Sequence, residues 1–196
     1  MLNSEIIPTD IEHNLVHKFY NKNYDNFSDT RKNTWPCVKN YIDKQSPNQN
    51  IFEIGCGNGK NMLYAKNNGH RVTGIDLCPK FVNMCKKSGL DDTYLDSCLR
   101  QSFIDDQFDC VLSIAVFHHL STEEHRVKAL ENMINVIKPE GTGFLTVWAV
   151  EHFNKYGIRQ PETLTEQEIK DACPEVPEFI ANPHIKVLDE DDGYHD

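Results

Sequence analysis

Ile51-Phe-Glu-Ile-Gly-Cys-Gly-Asn-Gly59 decides the fold, because a short buried-strand pattern runs directly into glycines spaced G-x-G-x-G. Met62, Leu63 and Ala65 then begin a helical pattern, so the segment reads as strand, glycine turn and helix. Downstream, Arg71 to Ile75 reads as a second strand, Phe81 to Lys87 as a helix, Thr93 to Leu95 as a brief strand and Phe108 to Ile114 as a buried central strand. Strand and helix alternate, which predicts an α/β fold with a doubly wound, mostly parallel sheet. Ser121 and Glu124 form a capping box for the next helix, where Val127, Leu130, Ile134 and Ile137 repeat at helical spacing. Pro139 and Gly141 end it, and Gly143 to Trp148 supplies a fifth strand.

Upstream, Leu15, Phe19, Val38 and Ile42 stand among polar residues from Asn3 to Lys44, a pattern of helices laid over the core. Beyond Glu151 the pattern predicts an acidic helix near Thr165 to Ala172 and a strand at Ile185 to Leu188. At 196 residues the chain is expected to be one domain. Residues 1–48 would form a helical lid, 49–151 the ligand-binding core and 152–196 an acidic C-terminal segment.

The longest apolar stretch, Val111 to Phe117, is too short to span a bilayer, and Met1 to Asp10 carries acids and a proline where a signal sequence would be apolar. Seven scattered cysteines, without a C-x-x-C pair or a zinc-like cluster, read as reduced thiols and give no metal site, so cytoplasm or nucleus is the expected place. The net charge of -10 is unevenly spread: Pro161 to Asp196 holds 11 acids against Lys170 and Lys186. The first 160 residues carry 19 acids and 18 bases, so a nucleic-acid partner is not excluded, although no basic stripe announces one.

Glycines at 55, 57 and 59 let the backbone turn sharply and approach a ligand without Cβ obstruction, with Glu53 before them and Asn58 among them. The G-x-G-x-G spacing differs from the G-x-G-x-x-G that suits a dinucleotide pyrophosphate. Asp76, followed by Leu77, ends the second strand where a carboxylate can accept both ribose hydroxyls of a nucleoside ligand. Alone, such a loop is a tight turn and such an Asp a helix cap; together in this frame they specify a nucleoside cofactor. Asp96, with Ser97 beside it, could accept an exocyclic adenine amine or be a plain turn residue. Ser113-Ile-Ala-Val-Phe-His-His119 brings Ile114, Ala115, His118 and His119 to the carboxyl edge of the sheet, where doubly wound folds place ligands. From an extended segment the two histidines cannot both point inward, and His118 is ranked ahead of His119.

These residues resemble the class I S-adenosylmethionine-dependent methyltransferases and, within them, the eukaryotic tRNA wobble-uridine carboxymethyl methyltransferase family. Phe27-Ser-Asp-Thr-Arg31 with Trp35-Pro36 is similar to that family's amino-terminal signature, and Gly55 to Lys60 to its cofactor loop. Ser113 to Thr122 with Glu123, Glu124, Arg126 and Val127 resembles its central strand and next helix, and Val147-Trp-Ala-Val-Glu151 its fifth-strand ending. The likeness covers about residues 13 to 151; after Glu151 the sequence departs from the pattern.

The resemblance implies S-adenosyl-L-methionine as cofactor, a carboxymethyl group on a tRNA wobble uridine as acceptor, and a small zinc-binding activator protein as partner. It also implies Arg31 as holder of a carboxylate and places Trp35 and Trp148 at the mouth of the pocket, where they could stack on a base. Two alternatives use the same loop: a methyltransferase for a small molecule beneath the lid, and a binding subunit without turnover.

Overall fold

Phe52, Ile54 and Val111 pack on one side of the sheet while Ile51, Cys110 and Leu112 pack on the other, because successive residues of a strand face opposite ways. A computed structural model of the chain describes residues 9–100 and 102–147, all within one compact unit that ends at Val147. Its sheet contains β1 (Asn50–Ile54), β2 (Arg71–Asp76), β3 (Thr93–Leu95), β4 (Phe108–Ile114) and β5 (Ile137–Thr146). All pairings are parallel, in the order β3-β2-β1-β4-β5. The expected doubly wound α/β sheet is thus present.

Helices cover both faces. The helices α2 (Pro36–Asp43) and α3 (Lys60–Asn67) bury Val38, Ile42 and Ala65 against Ile51, Cys110 and Leu112. On the other face α5 (Glu123–Asn135) packs Ala129 and Met133 against Phe52, Ile54 and Val111. Between β2 and β3, α4 (Pro79–Lys87) closes a smaller cluster in which Cys85 meets Cys56, Met62 and Leu90. The lid consists of a π-helical turn, Glu12–His17, running into α1 (Lys18–Thr30), which is kinked at Asn23 (φ -112°, ψ 16°).

Several details differ from the sequence reading. Val38 and Ile42 are fully buried as expected, but Leu15 and Phe19 are 69% and 54% exposed. The inner face of α1 belongs instead to Tyr20, Tyr24 and Phe27, whose rings meet Phe81 of α4 and outweigh the smaller stripe. Thr122, not Ser121, caps α5: its side chain accepts from the His125 N–H at 3.1 Å. Ser121 is drawn away because its N–H and hydroxyl both donate to the buried Glu12 carboxylate, at 2.8 and 3.1 Å. Helix α5 ends at Asn135, and Pro139 and Gly141 lie inside β5, at an irregularity in its register with β4. Proline is tolerated there because residues 138–141 fall outside the paired register, at a bulge that requires no ladder N–H donor. The predicted elements at Thr165 to Ala172 and Ile185 to Leu188 lie outside the described residues, as does Trp148.

The lid is tied down at its start by Thr9 and Glu12. Their mutual bonds, Thr9 N–H to Glu12 Oε2 at 3.0 Å and Glu12 N–H to Thr9 Oγ1 at 3.2 Å, form a capping box. The same carboxylate contacts His125 Nδ1 at 2.8 Å, which joins the lid to α5.

Candidate active site

Strands β1 and β4 are neighbours whose outgoing chains pass to opposite faces of the sheet, and the crevice between their carboxyl ends is where an open α/β sheet receives a ligand. The glycine loop forms one wall. Gly55 has φ +67°, and a Cβ there would lie 2.4 Å from Cγ2 of Val116, in the loop that leaves β4. At Gly57 (φ +53°) the nearest atom to such a Cβ is Cε1 of Phe27, 3.5 Å away, so the lid covers the loop directly. Asn58 Nδ2 donates to the Arg31 carbonyl at 3.0 Å, a second tie between loop and lid.

Asp76 is half-buried at the end of β2 rather than displayed on an exposed loop. Its Oδ2 accepts from the Gly57 N–H and its Oδ1 from the Cys78 N–H, both at 2.8 Å. The carboxylate therefore holds the glycine loop open while each oxygen keeps a free lone pair. Burial pushes its pKa above the ordinary carboxylate value. Leu77, next in the chain, is 39% exposed. Asp96 stands beside Asp76, its N–H donating to the Asp76 carbonyl at 3.2 Å, while its Oδ1 accepts from the Ser97 N–H at 2.8 Å. Ser97 is buried and closes the turn by accepting from the Leu99 N–H at 3.1 Å.

Glu53 lies beneath the loop with 1% of its surface exposed. Its Oε1 accepts from Asn61 Nδ2 at 2.7 Å, while Oε2 has no protein partner. Burial pushes its pKa up to about 8. It braces the turn from β1 into α3.

At the end of β4, Ile114 is half-buried and Ala115 takes φ +59°, held by bonds from its N–H to the Thr146 carbonyl and hydroxyl. The next residues form a 3₁₀ turn, Phe117–His119, not an extended segment. Adjacent histidines on such a turn share a side, and their ring centroids are 4.3 Å apart. His119 is half-buried against the lid and its Nε2 shares a hydrogen bond with the Tyr20 hydroxyl at 2.9 Å, whereas His118 is exposed. Burial, its largest cause, pushes the His119 pKa down to about 4, so the ring is neutral at pH 7. Burial also lowers the His118 pKa.

Arg31 follows the lid helix. Its guanidinium stacks 4.3 Å above Phe27 and donates to Thr30 Oγ1, and among the described residues no carboxylate forms an ion pair with it. Trp35 is half-buried at the start of α2 with the Lys60 ammonium 5.1 Å from its ring. Sequence reasoning missed Tyr20, which touches Phe27, Phe81 and His119 and lies in the field of both Arg31 and Asp76. The signal was present in the spacing of Tyr20, Tyr24 and Phe27. Two cavities, of about 390 and 280 Å³, open at the opposite, amino edge of the sheet beside Arg71 and Lys138. They are separate from this crevice, which the lid fills. No cluster of metal ligands occurs among the described residues.

Residues 52–145 match the family described as "Methyltransferase domain". "Probable tRNA methyltransferase 9B" of Homo sapiens is 34% identical over 151 residues, 76% of this chain and 32% of its own length. The "tRNA (carboxymethyluridine(34)-5-O)-methyltransferase" of Arabidopsis thaliana is 34% identical over 142 residues, 72% of this chain and 34% of its own. The chain thus spans about a third of the length of these two relatives. A protein of Encephalitozoon cuniculi named "Putative methyltransferase" is 34% identical over 162 residues, covering 82% of this chain and 75% of that protein. Among solved structures, a chain from "Complex between the Haloferax volcanii Trm112 methyltransferase activator and the putative methyltransferase" shares the fold. Its TM-score is 0.55 at 18% identity, over 72% of this chain and 62% of its own. With a relative matched over three quarters of its own length, and a glycine loop and β2 acid of the expected form, this chain belongs to the class I S-adenosylmethionine-dependent methyltransferases.

Proposed function

We propose that this chain transfers a methyl group from S-adenosylmethionine to the carboxylate of a 5-carboxymethyl group on a tRNA wobble uridine, giving the methyl ester. The observation that carries the acceptor reading is Arg31, a planar cation without an anionic partner among the described residues, stacked on the ring that covers Gly57. The crevice suits the cofactor: the glycine loop leaves open the space a Cβ would fill at Gly57, and Asp76 retains acceptor capacity for ribose hydroxyls. Asp96 stands beside it for the adenine amine.

When bound, the cofactor supplies an electrophilic methyl group on a sulfonium. A carboxylate acceptor is ionised at neutral pH and needs no general base, consistent with a neutral His119 already occupied by Tyr20. The protein's work is alignment, which in well-oriented reactions is worth about 7–11 kcal/mol. The aromatic lid excludes water and so strengthens attraction between acceptor and sulfonium.

The partner reading rests on β3. This short edge strand pairs only with β2 among the described residues and exposes Tyr94 (47%) and Leu95 (57%), a surface suited to an activator subunit. Nucleoside mass spectrometry tests the whole reading: tRNA bearing 5-carboxymethyluridine, incubated with the chain, the activator and S-adenosylmethionine, should gain the methyl ester. Cofactor binding without any ester, with or without the activator, would reject the proposed acceptor.

A further inference from the structure

The solvent face of α2 and α3 carries an excess of positive charge. Arg31, Lys32, Lys39, Lys44 and Lys60 fall within residues 31–60, against Asp43 and the buried Glu53. The acids gather elsewhere: Asp91, Asp92 and Asp96 flank β3 at one edge of the sheet, and Asp105 and Asp106 precede β4.

Among the described residues the ion pairs are His125 with Glu12, Lys128 with Glu131 and Lys138 with Asp109, so none of these five cations is neutralised by a neighbouring carboxylate. Asp43, the exposed acid on this face, is engaged by the Tyr64 hydroxyl at 2.8 and 3.0 Å. Two of the lysines are held over rings: Lys60 Nζ lies 5.1 Å from the Trp35 centroid and Lys39 Nζ 5.4 Å from that of Tyr64. Trp35 and Lys39 are one turn apart on α2, and Lys60 and Tyr64 one turn apart on α3, so rings and cations alternate across the pair of helices. The row begins at the site itself, because Asn58 bonds the Arg31 carbonyl and Thr34 Oγ1 donates to the Lys60 carbonyl at 3.2 Å. Helix α2 adds about 12 Å of length, at ~1.5 Å per residue.

We infer that this α2–α3 face carries the phosphate backbone of the RNA acceptor, leading the strand from Lys44 past Lys39 to the site at Arg31. The inference rests on the RNA reading above and adds where the RNA lies. Lys32 and Lys44 are exposed and Lys39 is held over the Tyr64 ring, and contacts from such cations to phosphate are independent of base sequence.

The test is binding of fluorescently labelled unfractionated tRNA, followed by anisotropy between roughly 50 and 200 mM salt. The double variant Lys39→Gln, Lys44→Gln removes two charges away from the glycine loop; Lys86→Gln, Lys87→Gln on α4 is the control. The first pair should weaken binding and reduce the slope of log affinity against log salt by about 1.4 to 1.8, at ~0.7 to 0.9 per phosphate contact. The control pair should leave both unchanged, and both variants should keep wild-type affinity for S-adenosylmethionine by calorimetry. Wild-type tRNA binding by the Lys39, Lys44 variant, or an equal loss in the control, overturns the face while leaving the RNA substrate intact. A wild-type protein that binds cofactor but no tRNA, alone or with the activator, overturns both.

Discussion

Replacing Glu12 with alanine should unfasten the lid from the rest of the molecule. The side chain is 2% exposed and its carboxylate receives the Thr9 N–H, the Ser121 N–H, the Ser121 hydroxyl and His125 Nδ1, all within 3.1 Å. After truncation the Ser121 hydroxyl still has Thr9 Oγ1 at 2.7 Å, and the Thr9 N–H lies near the chain surface. The buried His125 ring is left without an acceptor, at about 1–3 kcal/mol, and the N–H of the exposed Ser121 loses a hydrogen bond worth about 1 kcal/mol. Allowing for water entering the space, the loss is about 2–4 kcal/mol. With a urea m-value of about 2 kcal/mol/M, the unfolding midpoint should fall by roughly 1–2 M at pH 7. Hydrogen exchange distinguishes lid release from general softening: amides of α1 should lose protection before those of β1 and β4. A midpoint within about 0.2 M of wild type, or α1 amides as protected as before, would refute the assignment of Glu12 as the anchor. The carboxylate pKa also lies below its ordinary value: although burial, the largest influence, raises it, the hydrogen bonds from Ser121, His125 and Thr9 together outweigh that. A lowered carboxylate pKa stabilises the fold above the unfolded-state value, so the anchor should weaken as pH falls through the acid range.

Asp76→Ala should abolish S-adenosylmethionine binding in calorimetry and also lower stability by about 1–3 kcal/mol, since the Gly57 and Cys78 N–H groups lose their acceptor. Gly55→Val should prevent cofactor binding and destabilise the chain, because φ is +67° and the new Cβ meets Val116; an unchanged melting temperature would contradict this geometry. Arg31→Ala should lower ester formation at least tenfold, about 1.4 kcal/mol or more, with little effect on stability. Glu53→Gln should flatten the pH dependence of stability: with a folded pKa of about 8 against an ordinary 4.5, the wild type loses stability as pH rises through that window, while the amide has no proton to lose.

The strands were legible because each carries its own evidence. Phe108 to Ile114 was read to the residue, since an apolar run bounded by polar turns has few other homes than a buried parallel sheet, and Thr93 to Leu95 was read by its place in the alternation of strand and helix. The glycine loop and Asp76 were legible through their spacing. What remained hidden depended on contacts between distant segments. Nothing local to Ser121 reveals that it serves Glu12, 109 positions earlier, and so leaves the cap to Thr122. The lid offers two apolar stripes, and the choice of Tyr20 and Phe27 over Leu15 and Phe19 is made by Phe81 of α4. The histidines were assigned by the geometry of an extended strand, whereas Ala115 in the left-handed region had already turned the chain.

Ties at both ends of the lid restrict how it can move. Glu12 fixes its beginning to α5, and the Arg31 carbonyl fixes its end to Asn58 of the glycine loop. A rod clamped at both ends cannot swing like a door. Its compliant point is Asn23, where α1 already departs from helical geometry and the Asn23 side chain bonds back to the Phe19 carbonyl at 2.9 Å. Admission of a ligand beneath Tyr20 and Phe27 must therefore either bow the helix at Asn23 or break one clamp. The Asn58 clamp is the less costly of the two, a single half-buried amide bond against three bonds from Ser121 and His125 to a buried carboxylate. The route of entry is thereby set at the Arg31 end, on the same side as the glycines.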